Sequence, residues 1–145
     1  MVRQCGFTLI ELIITIAILA LLLAVGVPFT QRWGQSARVQ QVESTLKQGF
    51  AHAKAIALRN PNGVKDGTAT AAVLTLTGDS FFVCEGAPSS CGASNAVWQA
   101  SKSANTSITI GANTAWSLGL TAQGLAASSN YTVSDGNESA TGNLH

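Results

Sequence analysis

The sequence predicts an α+β protein: a long N-terminal hydrophobic helix, kinked near Pro28, whose C-terminal half packs against a small antiparallel β-rich head. Three observations carry this expectation. Residues Leu12 to Phe29 form an 18-residue run without a charge. From Val39 to Ala57 apolar residues recur at steps of three and four, the period of one helical face. Beyond Asp66 the chain changes to short segments rich in Thr, Val, Ile and aromatic residues, punctuated by Gly, Asn and Ser. With 145 residues the chain has room for one domain and an anchor, but not for two globular domains.

The first element is the charge-free run. As a helix rising about 1.5 Å per residue it would cover about 27 Å, close to the hydrocarbon thickness of a bilayer. Arg3 and the initiator amine precede it, and Arg32 and Arg38 follow it, so the excess of basic residues that marks a cytoplasmic flank gives a divided vote on orientation. Gly26 and Pro28 interrupt the run near its outer end. Proline removes one backbone donor and disfavours helical geometry at the residue before it, which predicts a kink or local melting between Val25 and Pro28.

A cleaved secretory signal is the competing reading, because Ala24-Val25-Gly26 offers a small-x-small site behind an apolar stretch. Two features oppose it. The run exceeds the usual signal core of about 7–15 residues, and Glu11 stands at its start, where burying a carboxylate in lipid would cost about 2.5–3.5 kcal/mol. An acid so placed asks for a partner.

Gly6-Phe7-Thr8-Leu9-Ile10-Glu11-Leu12, behind a short basic leader and ahead of an apolar helix, resembles the class III signal of type IV pilins and of type II secretion pseudopilins. The resemblance implies that a membrane prepilin peptidase cuts between Gly6 and Phe7 and methylates the new amino terminus. It also implies that Glu11, about one helical turn further on, neutralises the amino terminus of a neighbouring subunit during assembly, which would offset its burial. A proline near the outer end of the span is a further point of similarity.

The second element runs from about residue 30 to residue 60. Its stripe is Val39, Val42, Leu46, Gly49 or Phe50, Ala53, and Ile56 or Ala57, while the basic residues and Gln40, Gln41 and Gln48 fall mostly elsewhere. The stripe covers fewer than three heptads, so packing against the chain's own sheet is expected rather than a coiled coil. Asn60-Pro61-Asn62-Gly63 then ends the helix. In the head, Ala72–Thr77 and Ser80–Cys84 flank Gly78-Asp79 as a hairpin. Further strands are expected at Ala96–Ala100, Thr106–Ile110, Ala115–Leu120 and Tyr131–Ser134, with Phe81, Phe82, Trp98 and Trp116 as core anchors. The expected organisation is therefore a leader at 1–6, a membrane and filament-core helix at 7–29, an amphipathic neck at 30–60 and a secreted head at 61–145.

Only 10% of the residues are charged and the formal net charge is +1, so no global field draws the chain to nucleic acid or to an anionic surface. The charges are segregated nonetheless. Between Phe29 and Asn60, Arg32, Arg38, Lys47, Lys54 and Arg59 face the single acid Glu43, whereas from Asp66 onward Asp66, Asp79, Glu85, Asp135 and Glu138 face only Lys102. Such a pattern is ordinarily a pair of solvated faces; its sharper reading is head-to-neck complementarity between neighbouring subunits.

Loss of the leader would remove Cys5 and leave Cys84 and Cys91, joined by the turn-rich Glu-Gly-Ala-Pro-Ser-Ser. These two are expected to form a disulfide outside the reducing cytoplasm, two unpaired buried thiols being the alternative. A zinc site is disfavoured, because His52 and His145 lie at no ligand spacing from the cysteines. Neither a cofactor motif nor a catalytic constellation of His, Ser or paired acids is present, so an enzyme is not expected. His52 reads as a surface or boundary residue of the neck. Asn105, Asn130 and Asn137 open glycosylation triplets of a kind too frequent to weigh.

The layout of the head is similar to that of minor pilins and pseudopilins of the FimT/FimU and GspH type, on the neck at Gln31–Arg59, Gly124-Leu125-Ala126 late in the chain and a glycine near the end. FimT-type DNA receptors carry a terminal Gly-Arg-x-Arg, and this chain ends Gly142-Asn143-Leu144-His145, so nucleic-acid binding is expected to be weak at most. Three functions follow from the resemblance: a minor pilin that initiates or caps a type IV pilus, a minor pseudopilin of type II secretion, and a DNA receptor pilin. The partners implied are other minor and major pilins, the prepilin peptidase and the inner membrane. The chain would cross that membrane once with its head in the periplasm, then enter a fibre, at its tip if it acts as a cap.

Overall fold

The computed structural model describes residues 7–87, 91–127 and 129–145. One helix, α1 (Leu9–Arg59), is followed by seven strands: β1 (Thr70–Thr77), β2 (Ser80–Glu85), β3 (Trp98–Ser101), β4 (Ser107–Ile110), β5 (Trp116–Thr121), β6 (Ser129–Asp135) and β7 (Glu138–Leu144). The α+β class read from the sequence is the class observed. The chain separates into two compact units, residues 1–34 and 35–145.

In the first unit the backbone is helical from Leu9 onward, through Gly26 and Pro28 without local melting. Thr30 turns its hydroxyl back along the helix, donating to the Val27 carbonyl at 2.9 Å and approaching the Gly26 carbonyl at 3.3 Å. Such back-bonding satisfies a hydroxyl without water or a neighbour. Among the described residues a methyl group added at Gly26 would meet nothing within 4 Å, so this glycine answers no packing need there. What it does is weaken the helix, by about 1 kcal/mol relative to alanine.

In the second unit the expected stripe is the buried one. Val39, Val42, Leu46, Phe50, Ala53 and Ala57 lie in one core with Leu74, Phe81, Val83, Trp116, Leu120, Tyr131 and Val133. The helix ends where Asn60 adopts φ 45°, a left-handed cap in which its amide bonds the Ile56 and Ala57 carbonyls. The Asn60 side chain then clamps both the N–H and the carbonyl of Val64, each at 2.8 Å. The turn chemistry of residues 60–63 thus acts through asparagine as much as through proline.

The strands form two antiparallel sheets, ordered β3-β2-β1-β5 and β4-β6-β7. The hairpin at Gly78-Asp79 joins β1 to β2 with Thr77 opposite Ser80, and Gly78 takes the positive φ that a two-residue turn requires at its first position. A second hairpin of the same form, at Gly136-Asn137, joins β6 to β7. Strand β7 has no counterpart among the sequence-derived strands. Of its residues Glu-Ser-Ala-Thr-Gly-Asn-Leu only Leu144 is fully buried, so the strand carries almost no apolar alternation and is held by its pairing with β6.

Phe81, Phe82 and Trp116 are buried as expected of core anchors. Trp98 is half-buried: it sits on edge strand β3, with its ring laid against α1 at Gly49 and stacked on the exposed His52 at 5.3 Å between centroids. A methyl at Gly49 would stand 2.9 Å from a Trp98 ring carbon and 3.2 Å from Leu74, so the missing side chain is what lets the edge tryptophan close on the helix.

Candidate functional site

The features that bear on function lie in the N-terminal segment. Gly6, the first half of the expected cleavage junction, lies outside the described residues. Phe7 is largely exposed, and Thr8 caps the helix: its hydroxyl accepts the Glu11 N–H at 3.3 Å, and its carbonyl accepts the Leu12 N–H at 3.2 Å. Thr8-Leu9-Ile10-Glu11 has the S/T-x-x-E spacing of a capping box, and the threonine-to-backbone half of that box is formed. This role of Thr8 follows from the spacing alone, without any fold.

Glu11 is exposed, in the first turn of α1, where a negative charge complements the helix dipole. From Leu9 to Trp33 every described side chain is exposed, including Ile10, Ile13, Ile14, Leu19, Leu22 and Leu23. A helix apolar on all sides whose described side chains are exposed has the surface of a segment covered by lipid or by other subunits. This stretch of α1 is long and apolar enough to cross a membrane.

In the head, Cys84 and Cys91 are joined by a disulfide, with Cα atoms 5.9 Å apart. The neck and head charges meet within one chain. Arg38 Nε donates to the Asp135 carboxylate at 2.6 Å, Asp135 being buried at the β6–β7 hairpin, and Arg59 lies 3.8 Å from Glu85. Complementarity pictured between neighbouring subunits is therefore spent in part inside the protein. Glu43 accepts from Lys47 Nζ and from the Tyr131 hydroxyl, each at 2.8 Å. These two donors, Lys47 first, hold its carboxyl below the usual glutamate range, while burial and the adjacent carboxylate push the Tyr131 phenol up. Gly142 makes this possible, since a side chain there would collide with the Tyr131 ring.

A partly open hollow of about 270 Å³ lies beside Lys102. The Lys102 ammonium is buried and engaged by Asp79 and by the Thr106 carbonyl, both at 2.6 Å, so it braces the β3–β4 connection rather than facing a ligand. Among the described residues no three His, Cys, Asp or Glu side chains converge as metal ligands would.

Residues 1–27 match the family model described as the prokaryotic N-terminal methylation motif. The chain thus carries a type IV pilin-like prepilin signal over its first 27 residues. No curated protein and no solved structure matches the chain.

Proposed function

We propose that the protein is a minor pilin, a structural subunit that helps to initiate or cap a type IV pilus. The observation that carries this reading is the prepilin signal at residues 1–27 leading into an apolar helix whose described side chains are exposed from Leu9 to Trp33. On this reading the peptidase removes residues 1–6, the span holds the subunit in the inner membrane with its head in the periplasm, and the same span later packs among other pilins. Glu11 meets a neighbour's amino terminus, and a bend at Gly26 and Pro28 eases the move from bilayer to fibre. The small disulfide-closed head is of FimT/FimU or GspH type.

Mass spectrometry of the membrane-extracted protein tests the reading. The first residue should be Phe7, methylated. An amino terminus at Val27 would show that an ordinary signal peptidase acts and would end the pilin interpretation. Genes for pilus assembly beside this one, rather than genes for type II secretion, are expected on the same reading.

A further inference from the structure

We propose that Trp33, with Phe29 and Arg32, forms an interfacial anchor that fixes the depth of α1 in the bilayer by seating the indole at the headgroup level of the outer end of the span. The inference rests on the membrane reading above and adds to it a lipid-contacting site.

Polarity changes within one helical turn. Leu12 to Phe29 carries no charge, Thr30 returns its hydroxyl to the Val27 carbonyl, and Gln31 and Arg32 are the first strongly polar side chains beyond the run. The Thr30 arrangement satisfies that hydroxyl within the helix itself. Phe29 and Trp33 are four residues apart, hence on one face, and are 75% and 74% exposed. An exposed tryptophan in this place has no counterpart in the head, where Trp116 is buried and Trp98 lies against the helix.

Side-chain direction places the ring. In a helix each Cα–Cβ bond tilts toward the N-terminus, so the Trp33 indole covers the turn before its own Cα, back over Phe29 and the end of the apolar run. The Trp33 Cα stands about 6 Å beyond that of Phe29 along the axis, which puts the backbone among headgroups and the ring at the boundary below them. An indole suits that layer because its ring is apolar while its N–H needs a polar acceptor, and Arg32 reaches outward to phosphate from its aliphatic stem. Anchors of this kind, more than the length of an apolar stretch, set the depth and tilt of a helix.

The test uses the full chain and its Trp33→Phe variant in vesicles of phosphatidylethanolamine and phosphatidylglycerol. Subtracting the variant's fluorescence from that of the wild type isolates Trp33 and leaves the other two tryptophans untouched, and the exposed position puts folding at no risk. The difference emission should be blue-shifted from that of indole in water. Quenching should be strongest with lipids brominated nearest the headgroup and should fall as the bromine moves to the middle of the chain. A water-like emission quenched by soluble iodide and not by bromolipid would overturn the anchor, as would a signal that neither quencher reaches, which would place Trp33 against protein. Flotation with the vesicles is scored separately. Protein that fails to float refutes the membrane reading itself, whereas protein that floats with Trp33 unquenched by lipid refutes only the anchor.

Discussion

The two ends of α1 are made from similar residues and treated oppositely by the fold. From Leu9 to Trp33 leucine, isoleucine and alanine surround the helix and no described side chain is buried, whereas from Val39 to Ala57 a single apolar stripe is covered by two sheets. A stripe describes a helix whose cover is in its own chain; an all-round apolar surface describes one whose cover is not. Their glutamates differ in the same way. Glu43 has Lys47 and Tyr131 within hydrogen-bond reach, while Glu11 stands exposed at the first turn, its backbone N–H donating to the Thr8 hydroxyl.

The largest effect expected from this contrast is at Glu11. Glu11→Ala should leave processing and membrane insertion intact, since insertion becomes easier without the acid. Assembly should fail, because a neighbour's cationic terminus would be left unpaired in an apolar filament core. A buried charge without its partner costs about 3–5 kcal/mol, so recovery in sheared fibres should fall more than about tenfold. Recovery equal to wild type, in fibres and in co-purification with other minor pilins, would show that the N-terminal half of α1 does not depend on an external partner for its acid.

A paired substitution sharpens the comparison for apolar residues. Leu46 is fully buried in the core and Leu22 is exposed on the span. Leu46→Ala should destabilise the head by about 2–5 kcal/mol, the cost of lost transfer plus a cavity. Leu22→Ala should change head stability by less than about 0.5 kcal/mol, as a surface position does. Denaturant unfolding of the detergent-solubilised protein, followed by near-ultraviolet circular dichroism of the head tryptophans, reads both. Equal losses would mean that the two parts of α1 unfold as one unit.

How much of this was legible depends on the range of the interaction. The stripe at Val39, Val42, Leu46, Phe50, Ala53 and Ala57 follows from local periodicity, and the β1–β2 hairpin follows from Gly78-Asp79 between two β-rich runs. The five strands β1 to β5 fall within one or two residues of their expected positions. Strand β7 was not legible, because Glu138 to Leu144 is polar and small and its conformation is imposed by β6 rather than by its own residues. The charge segregation was visible, but the destination of the charges was not. Arg38 and Asp135 are 97 residues apart, and only the fold decides that they meet inside one chain. The Thr8 cap is the converse case, a three-residue spacing readable without any fold. Trp98 lies between these extremes: its aromatic character marked a core residue, yet an edge strand and the absent side chain of Gly49 leave it half-buried beside His52.

The smallest effect expected is also the one that tests the internal pairing of Glu43 most directly. Its folded-state carboxyl lies below the usual range because Lys47 and then Tyr131 bond the ionised form. A depressed folded pKa contributes stability that is present above the unfolded-state value and is lost as pH falls through the folded one. Tyr131→Phe removes one of the two donors and keeps the ring in the core. The variant should therefore be slightly less stable at neutral pH, by about 1 kcal/mol or less given the partial exposure of the Glu43–Lys47 pair. Its deficit should shrink on acidification through the carboxylate range, where the protonated acid no longer rewards the hydrogen bond. The Glu43 side-chain carboxyl resonance, followed by NMR against pH in wild type and Tyr131→Phe, reads the cause without the rest of the molecule: its midpoint should rise in the variant. A midpoint unmoved would mean that Lys47, the more exposed partner, accounts for the depression alone, and that the Tyr131 hydroxyl reaches Glu43 without favouring its charge.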